Sequence, residues 1–136
     1  GPERLHDLLN VSDYVVVTVP YTAKTAGMIG AAEIAQIKPG ALLVGISRGG
    51  IIDEAAMIAA LKSGHLRGAA LDVFAQEPLP PESELWDMPN VLITPHAAGG
   101  TQFEADHILG IFRENLERFL RGDFPLRNQV DKQRGF

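Results

Sequence analysis

The chain has 136 residues, enough for one domain with its own hydrophobic core, and its hydrophobic (46%) and charged (21%) fractions are those of an ordinary globular protein. It contains no cysteine, which excludes a disulfide framework, a thiolate metal site and cysteine catalysis. A formal net charge of −5, from 12 basic and 17 acidic side chains, excludes binding to nucleic acid through a general positive charge.

The first part of the chain predicts two strands, each preceded by a short helix. Leucines at helical spacing indicate a helix over Glu3–Leu9. The run Tyr14–Val19 is almost entirely β-branched, a pattern typical of a strand that is buried on both faces. A second helix over Ala31–Ile37 and a second apolar strand over Ala41–Ile46 follow.

The middle of the chain predicts a capped helix and a third strand. Asp53 is expected to cap the N-terminus of a helix over Glu54–Ser63, and Gly64 stands where such a helix ends. Ala69–Phe74 has the composition of a third buried strand. Regular structure is excluded soon after it by three prolines, Pro78, Pro80 and Pro81.

The last part predicts a short strand, Val91–Thr94, and the longest helix, Thr101–Leu120, which has one continuous apolar stripe and ends at Gly122. Apolar strands that alternate with helices predict an α/β fold, with a parallel sheet covered by helices on both faces. A four-stranded sheet that begins with a helix is expected to be part of a larger, doubly wound domain.

The ends of the predicted strands carry the candidate chemistry, because open parallel sheets bind ligands beyond the carboxyl ends of their strands. Arg48 follows the second strand, Glu77 the third and His96 the fourth. Neighbouring strand ends lie roughly 5–10 Å apart, so we expect these three side chains to meet. Taken singly, Arg48 would more often form an ion pair in a loop and Glu77 would be part of a turn. Asp72, near the end of the third strand, needs a partner because burying an acid is unfavourable.

An arginine, a histidine and a glutamate in one place suit the chemistry of a small acid. The guanidinium binds a carboxylate through two parallel hydrogen bonds. The imidazole exchanges a proton with an alcohol or carbonyl oxygen, and a neighbouring carboxylate favours the imidazolium form. The set predicts a 2-hydroxy acid or 2-keto acid as the ligand, with a nicotinamide cofactor for the redox step.

Three segments resemble the D-isomer-specific 2-hydroxyacid dehydrogenases, a family that includes phosphoglycerate dehydrogenase, glyoxylate/hydroxypyruvate reductase and formate dehydrogenase. They occur in the family's order, over about residues 13–121. The segments are Ser47–Glu54, Gly68–Phe74 with Glu77 and Pro78, and Asn90–His96 with Gly99 and Thr101.

The resemblance implies a role for each candidate residue. Arg48 would bind the substrate's carboxylate and carbonyl, His96 would be the proton donor and acceptor, and Glu77 would tune His96. The implied reaction is hydride transfer between C4 of NAD or NADP and C2 of a small D-2-hydroxy or 2-keto acid, with no metal. Asp72 would meet the nicotinamide carboxamide. The residues implied to line the cofactor are Val19, Pro20, Ile46, Ser47, Arg48, Asp72, His96, Ala98 and Gly99.

The resemblance also predicts the domain organisation. The family's Gly-x-Gly-x-x-Gly turn, its cofactor-selecting residue and its substrate domain have no counterpart in this sequence. Residues 1–121 then correspond to the C-terminal part of a Rossmann-like NAD(P)-binding domain. Residues 101–121 would be the long helix that returns to the substrate domain, and 122–136 a C-terminal tail. With half a dinucleotide site, the chain alone is expected to be inactive.

The partners follow from the same reasoning. We expect the apolar stripe of the 101–121 helix to be buried against another chain or the exposed edge of the sheet, so a homodimer through this helix or the missing domain portion is expected. No apolar run approaches the ~20 residues of a membrane span and no secretion signal is recognised, which predicts a cytoplasmic protein without membrane or nucleic-acid partners.

Two alternatives to the enzyme remain at this point. The C-terminal-binding corepressors share the fold and the Arg-Glu-His set, and they use the dinucleotide to control assembly with protein partners. A dinucleotide-sensing, protein-binding module of that type is therefore one alternative. An inert α/β fragment is the other.

Overall fold

A computed structural model describes residues 2–135 and shows four parallel strands with helices between them. The strands are β1 (Tyr14–Val17), β2 (Leu42–Gly45), β3 (Gly68–Leu71) and β4 (Val91–Ile93). The α-helices are α1 (Leu5–Val11), α2 (Ala31–Gln36), α3 (Glu54–Lys62) and α4 (Glu104–Arg121). Single turns of 3₁₀ helix cover Pro2–Arg4 and Glu84–Asp87.

The sheet has the order β1-β2-β3-β4, and every neighbouring pair is parallel. This confirms the predicted Rossmann-like α/β fold. Crossovers between parallel strands are almost always right-handed, so a sheet that grows in one direction carries its crossover helices on one face. Residues of α1, α2 and α3 accordingly form a single core cluster with one face of the strands, and the main members of that cluster are Leu9, Ile34, Met57, Leu61, Val15, Leu43 and Leu71.

The opposite face of the sheet is not covered by α1–α3. The register aligns Val16, Val44, Ala70 and Leu92 across the four strands on this face. Val16 is 52% exposed and Leu92 is 64% exposed. Within residues 2–98, the helices that connect the strands therefore pack on one face of the sheet.

The prediction that the first strand is buried on both faces is wrong. In β1, Val15 and Val17 are buried while Tyr14 and Val16 are exposed. A β-branched run fixes the strand conformation, but burial of each face depends on what packs against it. The strand also ends at Val17, earlier than the sequence predicted.

The ends of the helices follow the sequence closely. The Asp53 carboxylate accepts a hydrogen bond from the N–H of Ala56 at 3.0 Å, which confirms it as the N-cap of α3. Gly64 (φ +78°) follows α3 and Gly122 (φ +74°) ends α4, both in the left-handed conformation that glycine adopts most easily.

The described residues fall into two compact units, one ending at Ala98 and the other beginning at Gly99. The second unit is built on α4, none of whose side chains is buried. The Asn115 side chain holds the backbone of Arg127, accepting from its N–H (2.8 Å) and donating to its carbonyl (2.9 Å). Within residues 2–135, no helix is long and apolar enough to cross a membrane.

Candidate active site

His96 and Glu77 form a direct hydrogen bond at the carboxyl edge of the sheet. Nδ1 of His96 lies 2.7 Å from Oε2 of Glu77, and the other oxygen of Glu77 accepts from the N–H of Phe74 at 2.9 Å. The bond from His96, followed by the bond from Phe74, holds the pKa of Glu77 below its usual value. An ionised carboxylate only accepts hydrogen bonds, so Nδ1 carries the proton and Nε2 is left for exchange with a ligand.

Asp72 anchors the turn that carries His96. The residue is 2% exposed, and its carboxylate accepts from the Thr94 hydroxyl (2.6 Å), the N–H of Ala97 (2.9 Å) and the N–H of Ala98 (2.8 Å). The Thr94 hydroxyl is the main reason that the pKa of Asp72 lies below its ordinary value, and the two N–H groups add to it. The sequence predicted that Asp72 needs a partner, and the structure shows that its partners are the groups of the turn that carries His96.

Arg48 lies beside this pair without a direct hydrogen bond to it among the described contacts. One N–H of its guanidinium donates to the carbonyl of Ser47 at 2.7 Å, and its positive charge contributes to the low pKa of Glu77. The next residue, Gly49, explains how the loops approach, because an added Cβ would lie 1.8 Å from the carbonyl oxygen of Phe74. The contact brings the Arg48 loop against the segment that leads to Glu77.

The residues predicted to line a nicotinamide follow the ends of three strands. Val19 and Pro20 lie after β1, Ile46 and Ser47 after β2, and Ala98 after β4. Val19 and Ser47 are half-buried, and Pro20, Ile46 and Ala98 are exposed. Gly99, also predicted, is the first residue of the second unit.

The Ser47 hydroxyl gives a test of whether these residues fit a cofactor. Its oxygen is buried and has no hydrogen-bond partner within the described part of the chain. A buried polar atom without a partner is unusual in proteins, and a bound group that forms a hydrogen bond with it would explain it. The exposed Ile46 beside it offers apolar surface to a flat ring, so the donor set fits a nicotinamide with its polar substituents.

A cleft of about 650 Å³ adjoins the His96–Glu77 pair. It is mostly apolar, with both members of the pair in its wall, and it is lined by Phe74, Glu77, Pro78, Leu79, Trp86, Ile93, Thr94, Pro95 and His96. Within residues 2–135, no group of three or more His, Cys, Asp or Glu side chains is arranged to hold a metal ion.

Thr94 was not among the site residues predicted from the sequence, where it ends a strand and lies within one of the segments that resemble the family. Leu71 of β3 pairs with Ile93 of β4, so the next residues along the two strands, Asp72 and Thr94, are neighbours. The register of β3 against β4 could have identified Thr94, but this register is known only once the two strands have been aligned.

One family of known sequences matches residues 2–98, which is most of the chain. The family is described as D-isomer specific 2-hydroxyacid dehydrogenase, NAD binding domain. The match includes the segments that contain Arg48, Glu77 and His96.

Two curated relatives illustrate the similarity. Glyoxylate/hydroxypyruvate reductase A of Salmonella newport is 43% identical over all 136 residues, which cover 43% of that protein. A glyoxylate reductase of Korarchaeum cryptofilum is 42% identical over 121 residues, which are 89% of this chain and 36% of the relative. The chain thus spans less than half the length of these relatives.

Two solved structures share the fold. A D-isomer specific 2-hydroxyacid dehydrogenase of Xanthobacter autotrophicus, in complex with NADPH and MES, is 44% identical with a TM-score of 0.93, over all of this chain and 55% of that one. The NADPH-dependent glyoxylate/hydroxypyruvate reductase of Sinorhizobium meliloti, in complex with NADP and sulfate, is 37% identical with a TM-score of 0.89, over 98% of this chain and 43% of that one.

These relatives are reductases and dehydrogenases, so they do not support the corepressor-type alternative. The parallel sheet, the matched segments and the solved structures agree with one another. The chain belongs to the D-isomer specific 2-hydroxyacid dehydrogenase family, and residues 2–98 match the NAD binding domain of that family.

Proposed function

We propose that this chain carries the proton-transfer and substrate-binding residues of an NAD(P)H-dependent reductase of small 2-keto acids. The observation that carries the proposal is the 2.7 Å bond between Nδ1 of His96 and the ionised Glu77 at the carboxyl edge of the sheet. The names of the relatives support glyoxylate and hydroxypyruvate as the substrates to test first.

In this proposal the three side chains divide the work on the substrate. Arg48 binds the carboxylate and polarises the carbonyl, since its guanidinium presents five N–H groups in a fork and uses one on Ser47. His96 delivers a proton from Nε2 to the substrate oxygen as the carbonyl becomes an alcohol. Glu77 keeps the imidazole oriented through the bond to Nδ1 and so tunes His96 for proton transfer at Nε2.

The cofactor would lie across the ends of β1, β2 and β4. When bound, the nicotinamide supplies the hydride that reaches C2 of the keto acid. The Ser47 hydroxyl and Ile46 would hold the nicotinamide group, and Asp72 Oδ2, which accepts one protein hydrogen bond, retains capacity for a carboxamide N–H. The remaining residues proposed to line the cofactor are Val19, Pro20, Ala98 and Gly99. Both similar structures hold NADP or NADPH, and the cofactor of this chain is NAD or NADP in the proposal.

The domain organisation is part of the proposal. Residues 1–121 would form the C-terminal part of the cofactor domain, with 101–121 as the returning helix and 122–136 as the tail. The relatives are more than twice as long as the matched region, which supports a chain that has no turnover alone. A cytoplasmic location stays a prediction.

Turnover measurements test the proposal. The 136-residue chain should not oxidise NADH or NADPH with glyoxylate or hydroxypyruvate. In a full-length protein that contains it, His96→Ala should lower kcat by about 10²–10⁴-fold, the usual contribution of acid–base catalysis. Arg48→Ala should mainly raise KM, because it removes the bidentate partner of the carboxylate. Near-normal kinetics in both variants would refute the assigned roles.

A further inference from the structure

We propose that Thr94 is a positioning residue for His96, because its hydroxyl fixes the Asp72 carboxylate that holds the turn presenting the imidazole to Glu77. The inference rests on the proposed role of His96 as the proton-transfer group. It adds a residue that does not touch the substrate and acts through Asp72.

The contacts of Asp72 bracket His96 along the chain. Its Oδ1 accepts from the Thr94 hydroxyl, two residues before His96, and from the N–H of Ala97, the residue after it. Its Oδ2 accepts from the N–H of Ala98. One buried carboxylate thus joins both sides of the turn, so a change in its orientation would move the turn as a unit.

The backbone of His96 needs such support. Its φ of +52° lies in the left-handed region, which a residue other than glycine occupies only when its surroundings hold it there. The His96 side chain is 42% exposed, and its hydrogen bond to Glu77 depends on where the backbone places the ring. The Asp72 contacts restrain that placement from both sides of His96.

The Thr94 side chain helps to orient the Asp72 carboxylate. Its N–H donates to the carbonyl of Leu71 at 2.9 Å, which ties its backbone to the end of β3. Its hydroxyl then donates to the next residue of that strand, Asp72, at 2.6 Å. A side chain of the same shape without a hydroxyl would leave the carboxylate with its two backbone donors only, and would break its link to the end of β4.

Side-chain NMR of the 136-residue chain at neutral pH tests this inference without a substrate. The ¹⁵N signals of the His96 ring report whether Nδ1 carries the proton that is shared with Glu77. Amide exchange at Ala97 and Ala98 reports the stability of their hydrogen bonds to Asp72. Thr94→Val removes the hydroxyl, and Thr94→Ser restores it. Thr18→Val is the matched control, because no hydrogen bond of the Thr18 hydroxyl is found within residues 2–135.

We expect Thr94→Val to shift the His96 ring signals towards a mixture of tautomers and to speed exchange at Ala97 and Ala98 by about tenfold. Thr94→Ser and Thr18→Val should match the unsubstituted chain. Unchanged ring signals in Thr94→Val would overturn the inference, and so would an equal rise in exchange at Leu43 in the core, which would indicate general loosening. These NMR measurements do not depend on turnover. A full-length protein without the proposed activity would therefore refute the proposed function but not the role of Thr94, and the two proposals can be tested independently.

Discussion

At the scale of single residues, the site depends on a carboxylate that is ionised because of its partners. The pKa of Glu77 is lowered first by the bond from His96 and then by the N–H of Phe74. A group with a lowered pKa in the folded state stabilises the fold above its ordinary pKa. That stabilisation is lost as the pH falls through the lower, folded-state value.

Glu77→Gln should therefore flatten the pH dependence of stability on the acid side. The unsubstituted chain should lose stability as the pH falls below about 4.5, the ordinary pKa of a glutamate, and Glu77→Gln should lose less over the same range. Urea midpoints between pH 3 and pH 7 measure the difference. Glu82→Gln, at an exposed position in the same loop, is the control. Parallel curves for the chain and Glu77→Gln would contradict the linkage.

Two glycines predict opposite responses to the same substitution. Gly49→Ala places a Cβ 1.8 Å from the carbonyl oxygen of Phe74, where the backbone must shift, so we expect a loss of about 1–3 kcal/mol. Gly110→Ala, in the middle of α4, places a Cβ that meets nothing within 4 Å beyond its chain neighbours and its own helix backbone, so it should stabilise the helix by about 1 kcal/mol. Thermal unfolding followed by circular dichroism measures both changes. A neutral or stabilising Gly49→Ala would contradict the close approach of the two loops, and a destabilising Gly110→Ala would contradict the expected gain in helix propensity.

At the scale of elements, the local chemistry of the ends was predictable and the burial of faces was not. Asp53, Gly64 and Gly122 could be assigned from sequence because caps and left-handed ends depend on the residue itself. The exposed face of β1 could not be predicted from its β-branched run, because burial depends on which elements are placed over that strand.

In the candidate site, too, the functional residues could be predicted from the sequence and their contacts could not. Arg48, Glu77 and His96 could be placed on one edge because the exits of parallel strands share that edge. The direct contact of Glu77 with His96 and the support of His96 by Asp72 and Thr94 required the register of β3 against β4. A chemistry-bearing residue can be recognised in a sequence, whereas its supporting contacts come from tertiary pairing.

At the scale of the whole molecule, α4 presents an apolar stripe to solvent. Its side chains are between 45% and 75% exposed, and they are Ile108, Leu109, Phe112, Leu116, Phe119 and Leu120. Contiguous apolar surface of this kind is typical of an interface. This exposed stripe agrees with the expected homodimer, in which a second copy of the chain would cover it.

Phe112→Asp should weaken that association. A charge in the middle of the stripe makes burial unfavourable, so the dissociation constant measured by light scattering or sedimentation should rise by at least about tenfold. Arg113→Asp changes the neighbouring position of α4 and is the control for an added acid in the helix. A chain that is monomeric at every concentration would contradict the homodimer.

The strand order β1-β2-β3-β4 has a consequence for how the protein is made. Each strand pairs with the one that precedes it in the chain, and paired residues are about 20–30 positions apart. During synthesis from the N-terminus, every strand after the first emerges from the ribosome when its partner is already available. The sheet can grow vectorially, one strand at a time, and none of its four strands has to wait for a distant segment.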